Sequence, residues 1–80
     1  MSREYQLTVS RTPPAWVVHV PGLGPVDLQD YSCTDFLVKL EDDGSLTFAD
    51  HTRSDLSALV LRRALDLCLA HSDEVRVSEP

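Results

Sequence analysis

Only one stretch of this chain has helical periodicity, and alternating segments lie on both sides of it. Leu56, Leu59, Val60, Ala64, Leu67 and Cys68 recur at three- and four-residue spacings, while Arg53, Ser57, Arg62, Arg63 and Asp66 fall mostly on the wet side. Either Thr52, with Asp55 three residues on, or Ser54 can cap this helix. His71 ends it, where the helix dipole favours a cation. Leu61, Leu65 and Leu69 widen the apolar stripe beyond what one small sheet needs. After Ser72-Asp73 the run Glu74-Val-Arg-Val-Ser78 alternates as a last strand, with Val75 and Val77 facing in. A lone helix set between strands must bury its stripe against a sheet.

The strands before the helix follow the same logic. Tyr5, Leu7 and Val9 alternate with polar neighbours, and Trp16, Val18 and Val20 share a face opposite Val17 and His19. Arg11-Thr-Pro-Pro-Ala15 lies between them, and its two prolines remove ladder donors, so the reading is a reversal that makes these strands a first hairpin. Pro21-Gly22 ends the second strand. From Leu23 to Tyr31 the pattern weakens, which predicts a surface loop with a short edge strand at Val26 to Leu28. Phe36, Val38 and Leu40, then Leu46 and Phe48, predict a second hairpin around Asp42-Asp43-Gly44-Ser45, with Gly44 in the left-handed region. The competing reading is a helix capped at Thr34 and ended at Gly44.

Together these elements predict an α+β fold. It has an antiparallel sheet of four to five strands with one helix packed on one face, in the order β-β-(β)-β-α-β. Val17, His19, Leu37, Ala49 and the extra leucines would then leave the second sheet face moderately apolar, which suits dimerisation or docking. A chain of 80 residues is one domain with a small core, and a homodimer is expected on that ground too. The longest apolar run, Ala58-Leu-Val-Leu61, is far short of a membrane span. The first residues lack the basic and apolar stretches of a signal peptide, so a cytoplasmic location and two free thiols, Cys33 and Cys68, are expected.

Charge is unevenly placed. Asp27, Asp30, Asp35, Glu41, Asp42, Asp43 and Asp50 stand between residues 27 and 50 with Lys39 as the only base, and the rest of the chain is balanced. A surface of this kind repels phosphate and steers basic partners, so direct nucleic-acid binding is not expected. The plainer reading is an acidic loop kept for solubility. Chemistry is otherwise thin. His19, His51 and His71 with the two cysteines show no metal-ligand spacing. Asp50-His51 with Ser54 has no strand-elbow-helix context, so neither an enzyme nor a cofactor is expected. Gly22-Leu-Gly24-Pro25 lacks the Lys-Ser/Thr of a phosphate loop and is read as a turn. Arg62 and Asp66 form an ordinary i, i+4 surface pair, and Trp16 is read as core.

The opening strand at Tyr5, the run Trp16-Val-Val-His-Val-Pro-Gly-Leu-Gly24, the segment Leu46-Thr-Phe-Ala-Asp-His51, the helix and Glu74-Val-Arg-Val together resemble the N-terminal domain of HicB-family antitoxins. Residues 25–45 have no counterpart in the compact form of that family, and no appended DNA-binding module is recognised. The resemblance implies a non-catalytic domain that covers a small basic RNA-cleaving toxin. In this chain the contact would fall on Asp27, Asp30, Asp35, Glu41, Asp42 and Asp43. The functional expectation is therefore a small protein-binding module that occludes a basic partner. The alternative is a self-associating assembly domain of a phage or mobile element.

Overall fold

The computed structural model describes residues 2–79. Its elements run β1 (Arg3–Val9), β2 (Val17–Val20), β3 (Gly24–Asp27), β4 (Asp30–Ser32), β5 (Phe36–Leu40), β6 (Leu46–Asp50), α1 (Asp55–His71) and β7 (Val75–Ser78). The fold is α+β. A five-stranded sheet has the order β4-β5-β6-β1-β7, and β2 and β3 form a separate two-stranded sheet. Every ladder is antiparallel. Because β6 and β7 both oppose β1, they run parallel to each other, and α1 carries the chain from one to the other across β1. Parallel strands need such a crossover, which explains why α1 sits between these two.

The alternation of β1, β5 and β6 sends Leu7, Phe36, Val38, Leu46 and Phe48 to one face, and all five are fully buried. Against them lie Val60, Ala64 and Cys68 of α1 together with Trp16, Val18, Val20, Val26 and Leu28 from the small hairpin. The hairpin and the helix thus share the covering layer, and α1 packs beside β2. Tyr31, Phe36 and Phe48 stack in series on the inner face, with ring centroids 5.5 and 5.4 Å apart. Ser54 caps α1 by accepting a hydrogen bond from the Ser57 amide at 3.2 Å. At the other end Ser72 is the C-cap, its amide bonded to the Cys68 carbonyl at 2.9 Å.

Three expectations are corrected. The first hairpin does not form: β1 takes the interior of the large sheet between β6 and β7, and β2 pairs with β3. The Pro13-Pro14 segment carries the chain out of the sheet into the covering layer instead of folding it back beside β1. The reversal comes later, at Pro21-Gly22, where the Leu23 amide bonds the Val20 carbonyl at 3.0 Å and Gly22 has φ of +89°, as a type II turn requires.

Second, Leu23 to Tyr31 is not a surface loop with one short strand: the strand expected at Val26 to Leu28 starts earlier, as β3, β4 follows it, and Val26 and Leu28 are completely buried. Third, the apolar second face breaks up. Val17 and His19 belong to the small hairpin, and although Leu37 and Ala49 do lie side by side on the outer face of the large sheet, the rest of that face is largely polar, carrying Gln6, Thr8, Lys39, Thr47 and Arg76. The second predicted hairpin stands as β5 and β6, with Gly44 at φ +88°. No helix among the described residues is long and apolar enough to cross a membrane.

Candidate functional site

The topology sorts the acidic residues into two groups. The β3–β4 turn and the β5–β6 turn lie at the same end of the sheet, because Asp30 pairs with Lys39 and the Leu40 amide bonds the Gln29 carbonyl at 2.9 Å. Asp27, Asp30, Glu41, Asp42 and Asp43 therefore gather at this end. Asp35 does not join them. It sits in the β4–β5 turn at the opposite end, beside the start of α1, where its carbonyl accepts from the His51 amide at 2.9 Å and from Ser57 Oγ at 3.0 Å. Its carboxylate accepts from Thr52 Oγ1 at 2.8 Å. Asp35 fastens the helix start to the sheet, and the structure removes it from the acidic surface.

Within the acidic end, local partners occupy some carboxylates and leave others open. Asp43 Oδ1 accepts from the Ser45 amide at 2.9 Å and from Ser45 Oγ at 2.6 Å. These bonds stabilise the charged form and hold the Asp43 carboxyl below its ordinary value. Glu41 Oε1 accepts from Thr47 Oγ1 at 2.9 Å and lies 3.6 Å from Lys39 Nζ. Asp27 Oδ1 accepts from the Gln29 amide at 3.0 Å, an Asx turn that leaves its second oxygen for another donor. Asp30 and Asp42 make no ion pair among the described residues. The acidic surface is thus centred on Asp27, Asp30 and Asp42, each exposed, while Glu41 and Asp43 mainly shape the β5–β6 turn.

That division was partly legible in the sequence. Asp27 and Gln29, and Asp43 and Ser45, have the two-residue spacing of an aspartate that bonds its own turn. The reach of Thr47 to Glu41 was not, because it depends on the strand register.

The other constellations separate in space. Asp50 Oδ1 accepts from the Arg53 amide at 2.7 Å, His51 Nδ1 lies 2.7 Å from Ser2 Oγ, and Ser54 Oγ is engaged by Ser57. Asp50, His51 and Ser54 therefore serve the strand-to-helix connection, with Arg53 held at a positive φ of 54° by the Asp50 bond. No group of three potential ligands among the described residues is placed to hold a metal ion. Cys33 is half-buried and Cys68 buried, both as free thiols, and burial pushes the Cys68 thiol up. A shallow open groove of about 280 Å³ lies over β1 and β7, lined by Thr8, Val9, Ser10, Glu74 and Arg76. Comparison with protein-family models, with curated proteins and with solved structures finds no match.

Proposed function

We propose that this chain is a non-catalytic protein-binding domain that presents the end of its sheet carrying Asp27, Asp30 and Asp42 to a basic protein surface. The observation that carries this reading is the convergence of two separate turns, β3–β4 and β5–β6, which places five acids together with only Lys39 between them in sequence. Among the described residues Asp30 and Asp42 make no ion pair, although Lys39 stands opposite Asp30 in the ladder and turns to Glu41, so a lysine- or arginine-rich partner gains charge-assisted contacts without displacing an existing pair. Such a field raises association rate and selectivity more than affinity. The resemblance to HicB-family domains supports a small basic protein as the partner and occlusion of its surface as the mode of action. The rival reading, a self-associating assembly domain of a phage or mobile element, draws on the exposure of Val17, Leu69 and Val77.

A deletion of residues 25–45 cannot test the proposal, because it removes Val26, Leu28, Phe36 and Val38 from the core. The informative variant is the triple substitution Asp27→Asn, Asp30→Asn and Asp42→Asn, which keeps size and fold while removing charge. Proteins captured from the source cell by the wild-type domain are compared with those captured by the variant, at low and high salt. A basic protein lost both on neutralisation and in high salt is the expected outcome. Identical capture by the two proteins rejects the acidic surface as the binding site.

A further inference from the structure

The free edge of β7 has a pattern that fits a second copy of itself. The Ser10 amide bonds the Glu74 carbonyl at 3.4 Å, and the ladder continues through Val9 with Val75, Thr8 with Arg76, Leu7 with Val77 and Gln6 with Ser78. Antiparallel ladders alternate between hydrogen-bonded and non-hydrogen-bonded pairs. Glu74, Arg76 and Ser78 therefore direct their amides and carbonyls toward β1, and Val75 and Val77 direct theirs outward. In side chains the parity is different: Val75 and Val77 share the inner face with Leu7, whereas Glu74 and Arg76 project from the outer face, 2.9 Å apart and largely exposed.

From this arrangement we infer that β7 pairs antiparallel with β7 of a second copy, about a two-fold axis through Val75, so that Glu74 of each chain faces Arg76 of the other. Rotation about an axis normal to the sheet keeps inner faces together, so only residues of the same parity can oppose. Centring on Arg76 would set two guanidinium groups directly opposite each other, which is unfavourable. Centring on Val77 would set Arg76 opposite Ser78 and leave Glu74 without a partner, whereas centring on Val75, the first residue of β7, gives a reciprocal pair of backbone bonds there, sets Val77 opposite Asp73 and diagonal to Val75 of the second copy, and turns the two Glu74–Arg76 pairs into a closed ring of alternating charge. Val77 is 49% exposed in the isolated chain and gains cover in this register.

The other edges are poorer candidates. The edge strand β4 has only three residues and bears Asp30 with no base, so self-pairing there brings like charges together. In β3, Pro25 lacks an amide. The inference does not depend on the acidic surface, which lies at the end of β4, β5 and β6.

Sedimentation velocity of the full chain, from micromolar to near-millimolar concentration, is the first measurement, with Glu74→Arg, Arg76→Glu and the double charge swap as variants. Wild type should associate, each single variant should weaken association about tenfold by setting like charges opposite each other, and the double swap should restore it. Circular dichroism confirms that the variants fold. If a single variant does not, exchange of the Val75 and Val77 amides in the wild type decides, since the dimer protects them at high concentration and dilution exposes them. A wild type that stays monomeric at near-millimolar concentration overturns the inference. So do single variants that associate as the wild type does, or Val75 and Val77 amides that exchange equally at all concentrations. Retained association in the Asp27, Asp30 and Asp42 triple variant separates this surface from the acidic one.

Discussion

Ser72 links two parts of the chain that are far apart in sequence. Its hydroxyl donates to the Arg11 carbonyl at 2.6 Å and accepts from the Arg11 amide at 3.0 Å, which ties the helix C-terminus to the segment leaving β1. Ser72 is only 8% exposed, and Ser72→Ala removes both of its bonds to the Arg11 backbone. The expected cost is about 1–3 kcal/mol, read in urea as a lower midpoint with an unchanged slope. Asp43 works at the same scale through protonation. Its carboxyl ionises below the ordinary 3.8 because Ser45 donates to the charged form. A lowered native value means that the stabilisation is complete above the ordinary value and disappears as pH falls through the native one. The carboxyl carbon of Asp43, followed by NMR, should titrate below the ordinary value, and Ser45→Ala should return it toward that value. An unaltered titration in Ser45→Ala would assign the shift to another cause.

The elements differ in how far the sequence revealed them. In the β5–β6 hairpin and α1, the decisive signals are local: alternation around an Asp-Gly turn, and an apolar stripe behind a serine cap. Gly44 shows how local the first signal is. A Cβ there would meet no atom within 4 Å, so the only obstacle to Gly44→Ala is its φ of +88°. The substitution should cost about 1–2 kcal/mol in a thermal melt without altering the core. Pairing is a different matter. Period-2 alternation identifies Tyr5, Leu7 and Val9 as one face of a strand, but β1 finds its partners about forty and seventy residues away, at β6 and β7. Nothing in Arg11 to Ala15 distinguishes a hairpin turn from a crossing between layers. Strand β3 was visible only in part, as the short strand expected at Val26 to Leu28, and β4 was hidden, for another reason: each is four residues or fewer, and a Gly-Pro start and flanking aspartates resemble loop chemistry. The acidic surface inherits the same limit, since the acids are visible in the sequence while the separation of Asp35 from the other five requires the fold. A chain lacking residues 25–45 should accordingly lose its far-ultraviolet signature of folded structure, whereas the triple asparagine variant should keep it.

At the scale of the molecule, one layer is a five-stranded sheet and the other is shared by a helix and a hairpin, so neither half of the covering layer has a core of its own. Cys68 and Cys33 are built-in reporters of that mutual dependence. Cys68 is fully buried on α1 among the core residues, and burial pushes its thiol up, so little reactive thiolate exists even when a reagent arrives. Cys33 is half-buried at the β4–β5 turn, where a small local opening exposes it. Since α1 is seated against both β2 and β7, exposure of Cys68 needs the hairpin layer and the sheet to part together. Labelling of the native protein with a thiol reagent should therefore modify Cys33 rapidly and Cys68 only at the frequency of global unfolding. Ser72→Ala provides the check: each 1.4 kcal/mol that it removes should speed labelling of Cys68 about tenfold and leave Cys33 nearly unchanged. Equal acceleration at the two thiols would mean that the sheet edge opens together with the core. Cys68 labelling that ignores the substitution would mean that the helix detaches alone, with the hairpin able to stand on the sheet without it.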